Sequence, residues 1–348
     1  MDSAGEWTIE VKILLSSGRQ GIASAPSGIS EGEWEARTVS ADSAISQIEK
    51  LILPKIIGKD FSSQTEFDTV LEGLDCGANA TLSLSLAFCR AAETLILPQK
   101  IVFPQLMVLL FEGGKHGSGS LLIQEFLLLT RTIEEGQEAY QKVKNFLKEK
   151  GLPVTVGAEG GFSPPGLSDR EVLSLIKKAL GGACRLALDV AALGREAPLP
   201  DYRELVRDFP IVSLEDPYSD DDWENWQKLT ASSLGEKVLI VADDLTATNE
   251  ERIKKAVELK AATGVAIKPD QRKTLSETIR AIRLAKKSGL KTVFSHRGRE
   301  TNDSFIVDLA VSEQADFVKF GGFARGERVA KYNRLLEVGW GNQGGSDD

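Results

Sequence analysis

The chain is poor in the residues that build disulfide-stapled and zinc-binding proteins. Among its 348 residues there are only three cysteines and two histidines. The cysteines, Cys76, Cys89 and Cys184, are odd in number, far apart and without metal-ligand spacing. This pattern is typical of buried, reduced thiols, so a disulfide framework or a structural zinc site is disfavoured.

Long apolar runs and clusters of positive charge are missing as well. The longest uncharged apolar stretch, around Leu106–Phe111, is too short to span a bilayer, and the first residues lack the pattern of a signal peptide. The net charge is −9 and the pI is near 5.1, without a basic stripe that would bind phosphate backbones. We therefore expect a cytoplasmic protein that binds neither membrane nor nucleic acid.

The order of apolar patterns along the chain indicates two domains. Residues 7–25 predict a hairpin, and helical patterns follow at about 41–53, 63–74 and 78–96. Further helices are predicted at 133–149 and near 220–229, 250–261 and 275–287, the last three beginning at Ser, Asn or Thr caps. The predicted division is into an α+β domain, a barrel domain and a disordered polar tail, at residues 1–100, 101–340 and 341–348.

Short apolar runs in the second half of the chain end on charged or basic residues at a nearly constant spacing. The steps are 26, 28, 25, 28 and 23 residues, between Asp189, Glu215, Asp243, Lys268, His296 and Lys319. Each step is the length of one strand, one helix and two loops, the repeating unit of a parallel β/α barrel. In such a barrel the strand ends meet at one mouth, which predicts an enzyme with a metal site and an acid–base group beside it.

Three of these strand ends carry carboxylates. Asp189, Glu215 and Asp243 are hard oxygen ligands of the kind that Mg²⁺ prefers, whereas zinc would be expected to recruit cysteine or more histidine. Any one of them alone is more simply explained as a helix cap or an ion pair. Their recurrence at barrel spacing favours a shared metal site.

Lys268 follows the metal carboxylates by one step and ends an apolar strand. Burial and a nearby divalent cation would both lower the pKa of its amine, which would make it a general base at neutral pH. The alternative is a structural ion pair with a carboxylate. Lys319 supplies a second cation, placed to hold a substrate carboxylate or to help lower the pKa of Lys268.

Further polar residues lie in glycine-rich segments that predict tight loops near a ligand. These are His116 in GGKHGSG, Glu125 in IQEF and Glu159 in GAEGGF. Glu159 is a candidate general acid with Glu125 as its partner, although a single loop glutamate is more often solvated. Arg297, next to His296, offers a two-pronged donor for phosphate or carboxylate.

At these residues the sequence resembles the enolases over nearly its whole length. The matching segments include PSGIS, GANA, QEF, EGGF, LDVAA, SLEDP, ADDLT, SHR, FIVDLAV and GERVAKYN. The resemblance implies an α/β fold, a modified TIM (β/α) barrel with an N-terminal α+β capping domain. It also implies Mg²⁺-dependent dehydration of 2-phosphoglycerate to phosphoenolpyruvate, with two Mg²⁺ per site, the second bound with substrate.

Roles for individual residues follow from the same resemblance. Lys268 would remove the proton at C2, and Glu159, supported by Glu125, would protonate the departing C3 hydroxyl. Asp189, Glu215 and Asp243 would hold the first Mg²⁺, and Ser30 would bind the second. The residues that would contact the substrate are His116, His296, Arg297 and Lys319, together with Ser30.

The chain departs from the enolase pattern at the phosphate end of the site. Gly298 replaces the serine that usually follows the His-Arg pair, and Ala158 replaces an aspartate before the EGGF glutamate. After Lys268 and Pro269 the chain reads Asp270-Gln271-Arg272-Lys273 where enolases usually carry Asn-Gln-Ile-Gly. Arg272 or Lys273 could supply replacement phosphate contacts if they face inward.

The contact that usually joins two enolase subunits is also altered. Enolases pair a glutamate of the first hairpin with an arginine near the carboxyl end of the partner subunit. Here Glu10 matches the glutamate, but Glu337 takes the place of the arginine, which opposes the family dimer. The chain is also shorter than typical enolases, by roughly a fifth of their length.

Three functions remain open at the level of sequence. The first is a working enolase acting on a small phosphorylated carboxylate. The second is a relative that acts on another carboxylate substrate, which the changes after Lys268 and at Gly298 would allow. The third is a non-catalytic enolase-like binding protein.

Overall fold

The computed structural model of the chain describes residues 1–28, 32–99, 101–114, 117, 121–191 and 201–343, with backbone alone at 340–343. The first domain begins with the predicted hairpin, β1 (Glu10–Leu14) and β2 (Gln20–Ser24), paired antiparallel. Its turn contains Gly18 at φ 84°, a conformation that favours glycine. The helices that follow are α1 (Ala41–Gln47), α2 (Leu53–Ile56), α3 (Gln64–Glu72) and α4 (Ala78–Ala92).

The helix predicted at 41–53 is divided in the structure. A π-helical turn, Ile48–Ile52, separates α1 from α2, and Pro54, which has no amide proton to donate, lies just beyond it. The side chains of Ser40 and Ser63 cap α1 and α3 by accepting from backbone amides. The serine caps fix where α1 and α3 begin, and Pro54 disturbs the regular helix between α1 and α3.

Helix α4 is the centre of the first domain because it packs on the hairpin and on α3. Gly21 of β2 lies so close to α4 that a Cβ atom there would be 2.0 Å from the carbonyl oxygen of Ala87. On the side facing α3, the rings of Phe67 and Phe88 stack at a centroid distance of 4.1 Å. The domain therefore has an apolar core of its own.

Eight strands close the barrel of the second domain. They are β3 (Gln105–Glu112), β4 (Glu125–Thr130), β5 (Leu186–Asp189), β6 (Ile211–Glu215), β7 (Leu239–Ala242), β8 (Gly264–Ile267), β9 (Lys291–Ser295) and β10 (Phe317–Lys319). Neighbours follow chain order, and β10 closes the barrel on β3. The predicted fold class, a modified β/α barrel with an α+β capping domain, is confirmed.

One strand of the barrel runs against the others. All pairings are parallel except those of β4, which is antiparallel to both β3 and β5. The first residue of β4, Glu125, consequently lies opposite Glu112 and Asp189, the last residues of β3 and β5. The reversal brings Glu125 to the same mouth as the strand ends.

Helices surround the barrel. They are α5 (Ile133–Glu149), α6 (Asp169–Leu180), α7 (Tyr202–Asp208), α8 (Trp223–Thr230), α9 (Glu250–Leu259), α10 (Leu275–Lys287), α11 (Phe305–Ser312) and α12 (Gly326–Gln343). The predicted helix 133–149 is confirmed, as are the caps Asn249 and Thr274; the cap of α8 is Asp222, an acid that the prediction did not include. Among the described residues, no helix is long and apolar enough to cross a membrane.

The two domains are joined through buried polar contacts. Asp68 of α3 accepts hydrogen bonds from Ser85 at 2.7 Å and from the backbone and side chain of Ser276, at the start of α10. Arg90 of α4 pairs with Asp303 of the barrel domain at 2.7 Å. These contacts hold the first domain over one side of the barrel.

Candidate active site

The predicted strand-end residues meet at one mouth of the barrel. Register pairs Glu112 with Glu125, Glu125 with Asp189, and Asp189 with Glu215 across neighbouring strands. Inside the barrel below them is an apolar plug of Met107, Leu109, Leu127, Ala187, Val241, Ala266 and Val293. The polar groups therefore collect at the mouth.

Lys319 lies among three of the carboxylates. Its Nζ donates to Glu125 at 2.7 Å and to Asp189 and Glu215 at 2.8 Å each. Burial would lower the pKa of the amine, but the carboxylates outweigh burial and raise it well above its usual value. The sequence placed Lys319 beside a substrate carboxylate; in the structure its partners are carboxylates of the protein itself.

Asp243 and Lys268 form a second buried ion pair. Burial would lower the pKa of Lys268, but the Asp243 carboxylate raises it above its ordinary value. The sequence argument predicted a lowered pKa for Lys268 because it placed a cation beside the amine. That prediction is wrong for the protein groups alone, because the fold places the Asp243 carboxylate beside the amine. Asp243 Oδ1 is buried without a hydrogen-bond partner.

Asp216, directly after the preceding strand β6, positions Asp243. Asp216 lies just beyond β6 at φ 42° and accepts hydrogen bonds from the backbone amides of Asp243 and Asp244, both at 2.9 Å. Burial raises the pKa of Asp216 well above its usual range, and the neighbouring acids add to the shift. Asp216 thus fixes the loop that carries Asp243.

The described parts of the chain contain two groups of residues whose possible metal-binding atoms lie within 4.8 Å of one another inside each group. They are Glu125 with Glu159 and His296, and Asp216 with Asp243 and Asp244. The predicted set of Asp189, Glu215 and Asp243 is not one of them and stays a prediction. Buried carboxylates, including the unpartnered Asp243 Oδ1, form a donor set that suits Mg²⁺.

Glu159 is held by a residue that the sequence argument missed. Glu112, fully buried, accepts from the backbone amides of Glu159 at 3.0 Å and Gly161 at 3.2 Å. It ends the apolar run Leu106–Phe111, the same signal that identified the other strand ends, so the sequence did contain it. The carbonyl of Glu159 also accepts from Gly322 at 2.8 Å.

Glu125 and Glu159 form the predicted carboxyl pair. Burial raises the pKa of Glu125, and Glu159 raises it further through its charge and a hydrogen bond, against the opposing effect of Lys319. Two adjacent buried carboxyl groups favour sharing one proton. The pair is therefore suited to holding a proton at the mouth.

The tautomer of His296 follows from its neighbours. Arg328 Nη1 lies 2.9 Å from His296 Nδ1, and arginine can only donate, so Nδ1 accepts. Burial holds the pKa of His296 well below its usual value, so the ring is neutral and Nε2 carries the proton. Nε2 lies 3.3 Å from Glu125 Oε1 and donates to it. Arg328, in the GERVAKYN segment, was not assigned a role from sequence.

Arg297 is enclosed by two carboxylates. Its Nη2 donates to Glu35 at 2.7 Å, and its Nε lies 3.3 Å from Asp270 Oδ2. Its Nη1 is buried without a hydrogen-bond partner. The predicted phosphate donor therefore has one nitrogen unengaged and two facing acids.

Arg272 and Lys273 point away from this site. Arg272 donates to the carbonyl of Trp34, and Lys273 donates to the carbonyl of Leu74 at 2.7 Å, both in the first domain. The idea that they replace lost phosphate contacts is wrong, because both hold the first domain on the barrel. Ser30 and His116 lie outside the described residues, and their roles stay predictions.

Comparisons with known proteins agree on one family. The family model "Enolase, N-terminal domain" matches residues 1–97, and "Enolase, C-terminal TIM barrel domain" matches residues 100–196 and 193–340. Proteins named enolase from Beutenbergia cavernae, Kineococcus radiotolerans and Acidothermus cellulolyticus are 38%, 36% and 37% identical. Each alignment covers 97% of this chain and 91–92% of the relative. The alignments extend over 393–394 positions, more than the chain's 348 residues, so the chain lacks segments that its relatives have.

Proposed function

The chain belongs to the enolase family, and we propose that it catalyses the Mg²⁺-dependent, reversible dehydration of 2-phosphoglycerate to phosphoenolpyruvate. The observation that supports this most strongly is the composition of the barrel mouth. A lysine, Lys268, and a paired carboxylic acid, Glu159 with Glu125, lie at the same mouth as three further buried carboxylates. Removal of a proton next to a carboxylate and loss of a hydroxyl need a base, an acid and a cation.

The metal would be held by Asp189, Glu215 and Asp243, with Ser30 contributing to a second ion that binds with the substrate. When bound, Mg²⁺ supplies positive charge that stabilises the negative charge developing on the substrate carboxylate. Asp243 also forms an ion pair with Lys268. A cation held by Asp243 would offset the carboxylate charge that raises the pKa of the Lys268 amine.

Lys268 would take the proton from C2 as a neutral amine and become an ammonium group. The electron pair of the C2–H bond would pass into the substrate carboxylate and then form the C2–C3 double bond as the C3–O bond breaks. Glu159 would give its proton to the departing hydroxyl, which leaves as water. Glu125 shares that proton with Glu159, and the neutral His296 donates to Glu125 to keep the pair in place.

A second candidate function is favoured by one observation. Asp270 and Glu35 place negative charge against Arg297, the residue that would bind phosphate. A relative that acts on a carboxylate substrate without a phosphate would fit this arrangement. The third alternative, a non-catalytic binding protein, is disfavoured because the described acid, base and carboxylate residues all lie at one mouth.

The first experiment is a direct assay. Purified protein with 2-phosphoglycerate and Mg²⁺ is expected to produce the ultraviolet absorbance of the enol phosphate, and a chelator is expected to abolish it. No rise in absorbance, with Mg²⁺ binding intact by calorimetry, would favour the second candidate. Failure of both would leave only the non-catalytic alternative.

We expect Glu337→Arg to strengthen self-association of the chain by about tenfold. Glu337 is 65% exposed and pairs with Arg334 of its own chain, and Glu10 is exposed on β1. If two copies meet as in the family, the change replaces two Glu10–Glu337 repulsions by two attractions, each worth up to about 1 kcal/mol. Sedimentation velocity over a range of concentrations measures the effect. The same substitution at exposed Glu236 is the control, and equal behaviour of the two variants would contradict the prediction.

A further inference from the structure

Asp270 is a residue of the barrel mouth whose position the proposed reaction does not explain. It lies in a short 3-10 turn, Pro269–Gln271, directly after Lys268. Its side chain is buried, with Oδ2 at 3.3 Å from Arg297 Nε and Oδ1 without a hydrogen-bond partner. A buried carboxylate that satisfies only one of its oxygens is costly, which indicates a function beyond stability.

The neighbouring segment of the first domain strengthens the arrangement. The backbone of Ala36 donates to Gln271 at 3.0 Å, and Arg272 donates to the carbonyl of Trp34. These contacts hold Glu35 against Arg297 at 2.7 Å. Arg297 therefore faces a carboxylate from each domain, and its buried Nη1 is without a hydrogen-bond partner.

Asp270 and Arg297 also line a small cavity between the two domains. Its volume is about 30 Å³, which is room for ordered water but not for a phosphate group. Glu300 and Lys331, paired at 2.8 Å, and Asp303 line the same cavity. A phosphate that binds Arg297 would therefore lie outside this cavity, with Asp270 remaining beside the guanidinium.

Asp270 is surrounded by charged side chains from several elements of both domains. Burial raises the pKa of Asp270 to about 7, Arg297 and Lys268 oppose the shift, and Glu35 and Glu300 add to it. The Lys331–Glu300 pair is neutral as a unit, and Asp303 is paired with Arg90. Asp270 is consequently neutral below about pH 7 and negative above it.

We propose that Asp270 is a specificity-determining residue whose negative charge competes with the substrate's phosphate for Arg297. The inference rests on the proposed function and adds a control of substrate binding at the phosphate end of the site. Phosphate binds best when Asp270 is neutral, and affinity falls as Asp270 becomes charged. The usual enolase residue at this position, asparagine, has the same shape without the charge.

The test compares the wild type with Asp270→Asn between pH 6 and pH 8. At pH 8 the variant is expected to have a KM for 2-phosphoglycerate about tenfold lower, a difference that corresponds to about 1.4 kcal/mol. The inhibition constant of inorganic phosphate is expected to fall by a similar factor. At pH 6 both ratios approach one. The phosphate ester's own ionisation affects both proteins equally and cancels in the ratio.

The control is Asp303→Asn, which removes a negative charge from the same cavity without touching Arg297. It is expected to leave the pH dependence of the KM as in the wild type. A merely structural role for Asp270 would change thermal stability and kcat without a pH-dependent change in KM, and that result would overturn the proposal.

If neither protein turns over 2-phosphoglycerate, the proposed function fails, and calorimetric titration with inorganic phosphate then decides. Tighter binding by Asp270→Asn at pH 8 supports the proposal; equal or undetectable binding by both proteins overturns it.

Discussion

Replacing Lys268 with alanine is expected to lower the turnover number on 2-phosphoglycerate by about a thousandfold. In the proposed reaction Lys268 is the base that removes the C2 proton. Lys319, the other lysine of the mouth, is occupied by Glu125, Asp189 and Glu215. Steady-state kinetics with saturating Mg²⁺ measure the effect.

The matched variant is Lys268→Arg, because it separates charge from basicity. Arginine keeps a cation beside Asp243 but does not lose its proton at neutral pH. Activity is expected to be lost in both variants. The thermal stability without Mg²⁺ should fall further in the alanine variant, where Asp243 loses its partner. Substantial turnover by either variant would exclude Lys268 as the base.

Replacing Lys319 with methionine is expected to lower the free energy of unfolding by about 3–5 kcal/mol at pH 7. The change leaves three buried carboxylates next to one another without the amine that joins them. Burial already raises the pKa values of Asp189 and Glu215, so these groups take up protons as the pH falls. The loss of stability should therefore be smaller at pH 5 than at pH 7. Urea unfolding at the two pH values measures both effects.

The control for this change is Lys291→Met. Lys291 pairs with Asp316 at 2.8 Å, but its side chain is 57% exposed, so its loss is expected to cost less than about 1 kcal/mol. If Asp189, Glu215 and Asp243 hold Mg²⁺, adding Mg²⁺ should restore more stability to Lys319→Met than to the wild type. Equal losses for the two substitutions would show that the Lys319 cluster does not stabilise the barrel.

Several features of the fold could be read from local sequence. The spacing from Asp189 to Lys319 predicted the strands, because a strand, a helix and two loops need a nearly constant length of chain. Helix α5 was predicted at its observed bounds because its apolar positions recur at helical spacing. The caps at Asn249 and Thr274 were found because capping depends on residues only two or three positions away.

Other features depended on contacts between distant parts of the chain. The reversed strand β4 brings Glu125 to the mouth, and nothing in the residues of that strand specifies its direction. Glu112 carried the strand-end signal, but its role as acceptor for the Glu159 loop appears only when the two segments meet. The segment after Lys268 was recognised as unusual, yet which of its residues faces Arg297 was not.

The sequence by itself determined the residue types of the site and their place at the ends of strands, because strand length and apolar periodicity are local properties. The tertiary structure decided the partners: Lys319 among three carboxylates, Lys268 against Asp243, and Asp270 against Arg297. It also decided the direction of the pKa shift of Lys268, which the sequence argument had reversed. Electrostatic interactions depend on distances of a few ångströms and on burial, and both are set by the packing of segments far apart in the chain.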